Sequence, residues 1–337
     1  MAGFPEMSNW KGKRVLVTGA DGFIGSHLTE HLVREGANVR AFCLYNSQGS
    51  FGWLDHAEPS IREALEIRLG DIRDSRFVQT ACEDIEVVFH LAALIAIPYS
   101  YEAPESFYET NVRGTLNVLE GVRRERVSRI VQTSTSEVYG TPDTVPIRET
   151  HPLNAQSPYA ASKVAADQMA LAYYRSLDTP VVVLRPFNTF GPRQSTRAVT
   201  AAILTQLLAG RKKIKLGRLD TKRDLTFVTD VAKGFMQAGS VPGIEGEVIQ
   251  LGTGECVSVG ELFEMACRIV GVDAEAEVDP RRMRPDKSEV LVLESDPSLA
   301  AAKLGWRPEV SIQEGLQKTA DWLRANIEKY RPDFLYV

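Results

Sequence analysis

Arg14-Val15-Leu16-Val17-Thr18 runs directly into Gly19-Ala20-Asp21-Gly22-Phe23-Ile24-Gly25, and the segment that follows sets Ile24, Leu28, Leu32 and Val33 on one helical face. The pattern is strand, glycine turn, helix. The three glycines serve different ends, since one permits a tight turn, one lets the backbone approach a pyrophosphate, and one lets the helix sit close to the sheet. The helix start adds unpaired N–H groups and a positive dipole end, which suit an anion. The stretch therefore reads as a dinucleotide-binding unit.

Further apolar strand runs lie at Val39–Leu44, Leu65–Leu69, Val87–Leu91, Arg129–Thr133 and Val181–Leu184, with helix-length segments between most of them. Parallel strands need long crossovers, so this alternation predicts an α/β fold, a doubly wound, Rossmann-like parallel sheet covered on both faces. After Pro186 the regularity is lost. Loops are expected at Asn188–Arg197, Gly217–Asp224 and Asp279–Asp286, a helix over Ala198–Leu208, and a helix start at the capping-box spacing Ser258 to Glu261. The 337 residues exceed one compact core. Residues 1–185 are read as a dinucleotide-binding domain, with returning segments near 225–252, and residues 186–337 mainly as a smaller α/β substrate domain.

Bulk properties narrow the partners. A net charge of −5 with no long block of one sign gives no reason to expect nucleic acid or membrane, and the cluster Arg211, Lys212, Lys213 and Lys215 reads as a solvated helix end. Cys43, Cys82, Cys256 and Cys267 fall in apolar runs without metal-ligand spacing, so buried thiols in a reducing compartment are expected and no metal is. Val87–Ile97, interrupted by His90, is far shorter than the roughly 18 apolar residues of a spanning helix. Met1–Trp10 is polar, with no cleavable leader visible. A cytoplasmic protein is the expectation.

Two further motifs carry chemistry. Tyr159-Ala160-Ala161-Ser162-Lys163 has i, i+4 spacing, which puts a phenol and an ammonium on one helical face, and a nearby cation lowers a phenol's pKa so that it can take a proton. Thr133-Ser134-Thr135-Ser136-Glu137-Val138-Tyr139-Gly140 follows the fifth strand, at the carboxyl edge where open α/β sheets bind ligands.

The GxxGxxG spacing, the YxxxK pair, Gly70-Asp71-Ile72, His90-Leu91-Ala92-Ala93 and Thr110-Asn111-Val112-Arg113-Gly114-Thr115 together resemble the extended short-chain dehydrogenase/reductases along essentially the whole chain. The resemblance implies redox chemistry on a nucleotide sugar. It places the cofactor on Gly19, Gly22, Phe23, Ile24, Gly25, Asp71 (against the adenine), Ile72, Leu91, Ala92, Ala93, Asn111, Thr133, Tyr159, Lys163 and Pro186. One departure matters: the acid expected at the end of the second strand for an NAD ribose is replaced by Cys43. No Arg follows to hold a 2′-phosphate, and Asn46, Ser47 and Gln48 can bond a ribose hydroxyl, so NAD is favoured and NADP stays open.

The resemblance also assigns roles to Thr135, which bonds the sugar hydroxyl being oxidised, and to Glu137. A simple epimerase needs no carboxylate there, whereas a 4,6-dehydratase does: oxidation at C4 acidifies the C5–H, a base removes that proton, water leaves from C6, and the hydride returns to C6. Glu137 is the candidate base. Many dehydratases place Asp before this Glu, but here Ser136 stands, a relay rather than an acid; the Thr-Ser-Glu run is similar to that of GDP-mannose dehydratases. UDP-glucuronate decarboxylases share the Ser-Thr-Ser-Glu-Val-Tyr-Gly run, but their C6 carboxylate calls for Arg or Lys. The wall expected to face the sugar, Leu94-Ile95-Ala96-Ile97-Pro98-Tyr99-Ser100, carries no cation.

By the same resemblance Asn188, Arg193, Arg223 and Arg284 hold the diphosphate, with Lys215 and Leu216 near the nucleobase. The runs Leu94–Tyr101, Thr133–Gly140, Pro186–Val199 and Arg284–Val290 look most like bacterial N-acetylglucosamine-nucleotide 4,6-dehydratases of legionaminic-acid-type synthesis. UDP and GDP remain alternatives, as do epimerisation, decarboxylation and a non-catalytic NAD-binding protein. A homodimer through the Glu105–Arg126 and Tyr159–Ser176 helices is implied.

Overall fold

The structure, a computed structural model, describes residues 10–332. The polar lead Met1–Asn9 lies outside the described residues. Seven strands, β1 (Arg14–Thr18), β2 (Asn38–Leu44), β3 (Leu65–Gly70), β4 (Val87–His90), β5 (Arg129–Thr133), β6 (Val181–Pro186) and β10 (Val248–Leu251), form one sheet in the order β10-β6-β5-β4-β1-β2-β3. Every pairing in it is parallel. The doubly wound Rossmann-like sheet read from the sequence is the observed fold.

Alternation within each strand feeds two cores. Val15 and Val17 point into one apolar cluster, with Leu28, Leu32 and Phe235, while Leu16 points into the other, with Val118, Leu119 and Ile130. Strand order reverses between β1 and β4, which opens a crevice at their carboxyl ends where the glycine turn and the segment after His90 meet.

The later half contains more strand than its loop-rich sequence predicts. β7 (Asn188–Phe190) and β9 (Lys222–Phe227) form where loops were expected, and β8 (Lys213–Leu216) takes up part of the basic cluster read as a helix end. β11 (Cys256–Ser258) and β13 (Val292–Leu293) flank the first half of β9, β7 pairs with its second half, and β8 pairs with β12 (Glu275–Val278). These strands are two to six residues long, too short for a periodic signal. The helices Val199–Leu208, Val259–Val270 and Ile312–Arg324 pack on them around Phe190, Ile203, Leu216 and Phe227. The capping box at Ser258 and Glu261 forms as read. β9 passes directly into the helix Val228–Ser240, whose Val231 and Phe235 pack in the large sheet's core, so one element ties the two layers together.

Cys43 and Cys82 are buried thiols, but Cys256 and Cys267 are only half-buried, because β11 and the helix Val259–Val270 lie near the surface there. No helix of the described residues is long and apolar enough to cross a membrane.

A Cβ at position 25 would stand 2.0 Å from the carbonyl oxygen of Gly19. Gly25→Ala is therefore expected to destabilise the fold by about 3 kcal/mol, seen as a lower urea midpoint with an unchanged slope.

Candidate active site

The three glycines of the turn differ in the structure as their spacing suggests. Gly19 has a φ of +70°, where side chains are strained, and a Cβ there would meet the Ala92 backbone nitrogen at 2.8 Å. Gly25 closes the helix onto the turn. Gly22 is different: an added Cβ would meet only the Gly19 oxygen, at 3.2 Å, so its outer side is open. The helix Phe23–Arg34 begins there with no side chain capping it. An open glycine at an uncapped helix start fits a pyrophosphate. Ile24 packs into the core and the Phe23 ring meets His27 edge-on, so neither side chain is directed by a contact toward the turn. Thr18 Oγ1 accepts from the Leu91 and Ala92 N–H groups and bonds His90 Nδ1, which holds the segment Leu91 to Ala93 over the turn. Burial lowers the pKa of His90 to about 3, so its imidazole is a neutral brace.

Several expected cofactor contacts are otherwise engaged. Cys43 points into the apolar core, and burial pushes its thiol up to about 12. The Asn46 side chain closes its own loop: its amide donates to the Leu44 and Ser50 carbonyls, and its oxygen accepts from the Gln48 and Ser50 N–H groups. Asp71 is gripped by Arg73, whose hydrogen bonds hold the carboxylate below its ordinary range. The Ile72 side chain is core, packed against Gly114. Asn111 is buried in a π-turn over Tyr108–Arg113; it exchanges two hydrogen bonds with the Leu94 backbone and donates to Ser162 Oγ. Its amide thus positions the Leu94 wall against the Tyr159 helix.

The helix Pro158–Leu177 starts cleanly because Ser157 Oγ accepts from the Ala160 N–H and Pro158 takes the first turn. It buries Tyr159 and Lys163 together. The expected coupling between them is not what sets their titration. Lys163 Nζ donates to the Thr133 carbonyl at 2.6 Å, and burial pushes its pKa down to about 8, opposed by Asp167. Burial raises the Tyr159 phenol well above its ordinary value; the hydrogen bond with Thr135 opposes this, and the negative charges of Glu137 and Asp167 add to it. Desolvation outweighs any help from the cation. Two polar atoms here, Thr133 Oγ1 and Asn188 Oδ1, are buried without a partner, which marks them as available to a ligand.

Thr135 starts the short turn Ser136–Tyr139 and its hydroxyl accepts from the Glu137 N–H. Ser136 is buried in that turn. The Glu137 carboxylate meets Arg284 Nη1 at 3.4 Å from both oxygens, and Arg223, paired with Glu289, also lies within charge range. The wall is as expected on one side: Leu94, Ile97 and Tyr101 cluster with Phe107 and Tyr159. Beside Glu137 the picture changes, because Arg284 supplies a cation that the wall itself lacks. Tyr101 bonds Ser288, tying the wall to the Arg284 segment.

Three proposed substrate contacts stand apart from this cluster. Arg193, at a φ of +72°, forms a buried ion pair with Glu30 of the first helix at 2.6 Å. That pair clasps the post-β7 loop to the dinucleotide unit, while Nη1 of the same guanidinium is buried without a partner. Lys215 is exposed on β8, and the Leu216 side chain is core, so only backbone remains there for a base. The sequence reading missed Asp167, which is fully buried and accepts from Ser134 Oγ and from Arg185. Its signal was the spacing itself, since Tyr159, Lys163 and Asp167 recur every four residues on one helical face.

Residues 16–319 match the family described as GDP-mannose 4,6-dehydratase. The chain belongs to that family of extended short-chain dehydrogenase/reductases. It is 36% identical to the UDP-glucose 4-epimerase of Mycolicibacterium smegmatis over 92% of this chain and 98% of that one. It is 34% identical to the dTDP-glucose 4,6-dehydratase of an Actinoplanes species, over 93% and 98%. The solved dTDP-glucose 4,6-dehydratase of Streptomyces venezuelae, which holds NAD, superposes with a TM-score of 0.83 at 30% identity, covering 95% of this chain and 99% of that one. The chain is therefore an enzyme of a family that contains both nucleotide-sugar dehydratases and epimerases.

Because the folded pKa of Lys163 lies near 8 and its ordinary value is 10.5, the unfolded chain binds more protons between these pH values. Stability relative to Lys163→Met should rise as pH increases from about 8 to about 10.5 and level off outside that window. Denaturant unfolding of both proteins at a series of pH values measures the difference.

Proposed function

We propose that the enzyme is an NAD-dependent nucleotide-sugar 4,6-dehydratase acting on UDP- or GDP-N-acetylglucosamine. The observation that carries the reading is the Glu137 carboxylate, two residues after Thr135 and close enough to Tyr159 to act on its titration. NAD, when bound, supplies the hydride acceptor and donor. The open Gly22 side and the uncapped helix start would hold its pyrophosphate, with Leu91–Ala93, Thr133 and Pro186 lining the path to the nicotinamide end. The NAD in the Streptomyces neighbour supports that choice.

Tyr159 takes the proton from the C4 hydroxyl, and Thr135 orients that hydroxyl. Lys163, one helical turn on from Tyr159 and on the same face, is fixed on the Thr133 carbonyl. Glu137 removes the C5 proton, acidified by the C4 ketone, and passes it to the departing C6 hydroxyl, with Ser136 as relay; when hydride returns to C6, C5 takes up a proton, which balances the one that Tyr159 took from the C4 hydroxyl and releases. The Leu94 and Ile97 wall suits a C6 that becomes a methyl group. Arg223, Arg284 and Asn188 hold the diphosphate. The working form is a cytoplasmic homodimer joined through residues 105–126 and 159–176.

Arg284 beside Glu137 favours one second reading, decarboxylation of UDP-glucuronate, because a guanidinium there suits a C6 carboxylate. Incubation with UDP- and GDP-N-acetylglucosamine, UDP-glucose and UDP-glucuronate, followed by mass spectrometry, separates these outcomes. Loss of one water is expected. Loss of carbon dioxide would establish the second reading, and an unchanged mass with a new configuration would establish epimerisation.

Glu137→Gln should retain C4 oxidation, seen as transient NADH absorbance, while dehydration falls by about a hundredfold or more. Full dehydration in that variant would remove Glu137 from the mechanism.

A further inference from the structure

The second strand of this sheet lacks the acid that a dinucleotide ribose ordinarily meets, because Cys43 occupies the position and points inward. A carboxylate nonetheless lies at that strand end. Asp21, inside the glycine turn, reaches across from β1 to β2, and its Oδ2 accepts from the Leu44 N–H at 3.2 Å. The turn is locked in this pose from the far side: the Trp53 N–H donates to the Asp21 carbonyl at 3.1 Å, and Gly52 packs so closely that a Cβ there would stand 2.5 Å from that oxygen. Leu44 and Tyr45 are 59% and 66% exposed beside it and offer apolar surface.

The sheet order fixes what this carboxylate would face. Strands β1, β2 and β3 are consecutive neighbours, the pyrophosphate cradle sits on the turn after β1, and Asp21 directly precedes the open Gly22. A nucleoside running outward from that cradle crosses the β2 end with its ribose. We infer that Asp21 takes over the missing strand-end acid: it accepts hydrogen bonds from the ribose hydroxyls of NAD and repels the 2′-phosphate of NADP. The specificity determinant thus comes from the glycine turn instead of from β2. This rests on the dinucleotide reading above and goes beyond it in assigning cofactor choice to one residue.

Asp21→Asn keeps an acceptor for the Leu44 N–H while removing the charge, so it separates a local structural role from a ligand role. Asp21→Ser is a second variant in case the first fails to fold, and thermal melting checks both. Dinucleotide released from the purified full-length proteins is identified and quantified by chromatography, and NAD⁺ and NADP⁺ are then titrated calorimetrically into the stripped proteins. The wild type is expected to prefer NAD⁺, and the folded variants to lose about tenfold in that preference through weaker NAD⁺ and stronger NADP⁺ binding. An unchanged preference, or equal weakening of both cofactors, would overturn the assignment to Asp21 while leaving the NAD reading standing. A wild type that prefers NADP⁺ would overturn the assignment outright. A wild type that binds neither dinucleotide would overturn the dinucleotide reading and the assignment with it.

Discussion

The Asp167 carboxylate is fully buried, and one of its oxygens accepts from Ser134 Oγ and from two nitrogens of Arg185. These three residues come from the helix that carries Tyr159 and Lys163, from the turn that carries Thr135 and Glu137, and from β6. The contacts do not stop there. Arg185 also donates to the Tyr139 hydroxyl, Tyr139 to Gln250 of β10, and Gln250 to the carbonyls of Ile147 and Asp296. Burying two charges costs several kcal/mol each, so an ion pair of this kind adds little net stability over an apolar pair. What it fixes is relative position. An unpaired Arg185 or Asp167 here would be far more costly, so the helix, the turn and the strand are held in a single mutual arrangement. The geometry at Tyr159 depends on that arrangement.

The fold was legible because its signals are local and repeated. A buried parallel strand shows as a short apolar run, and the glycine turn is constrained at each glycine by a contact within a few residues or across one strand. The small sheets were not legible, since β7, β11 and β13 have three, three and two residues and draw their stability from pairing with β9. The phenol, the ammonium and Glu137 were legible as members of one site. The titration of the phenol and the ammonium was not, because it depends first on burial, which sequence spacing does not reveal.

The charged residues show the same limit from another side. An arginine in a Pro- and Gly-rich segment reads equally as a phosphate ligand or as half of an ion pair, because the guanidinium fork suits both. Arg193 resolves toward Glu30, and it does so from a left-handed backbone position that a loop clasp tolerates. Arg284 and Arg223 lie instead where two carboxylates, Glu137 and Glu289, face the cleft. Asp71 likewise closes on Arg73, its neighbour two residues on. In each case the deciding partner is either distant in sequence or too ordinary a residue to stand out.

The epimerase and the dehydratase relatives are each matched over 98% of their length, at 36% and 34% identity. The scaffold common to both therefore cannot choose the reaction. On the reading proposed above, the Tyr159, Lys163 and Thr135 set acts at one carbon of the sugar, which either reaction needs. The choice has to be made where the next carbons lie, among the few side chains that reach past Thr135. Here those are Glu137, the apolar residues Leu94 and Ile97, and Arg284 paired with Glu137. Among these side chains Glu137 has the only carboxylate and Ser136 offers only a hydroxyl, so one group must both take the C5 proton and deliver a proton to the leaving hydroxyl. If water is eliminated in this site, the proton it carries away therefore has to be the one Glu137 has just taken from the sugar.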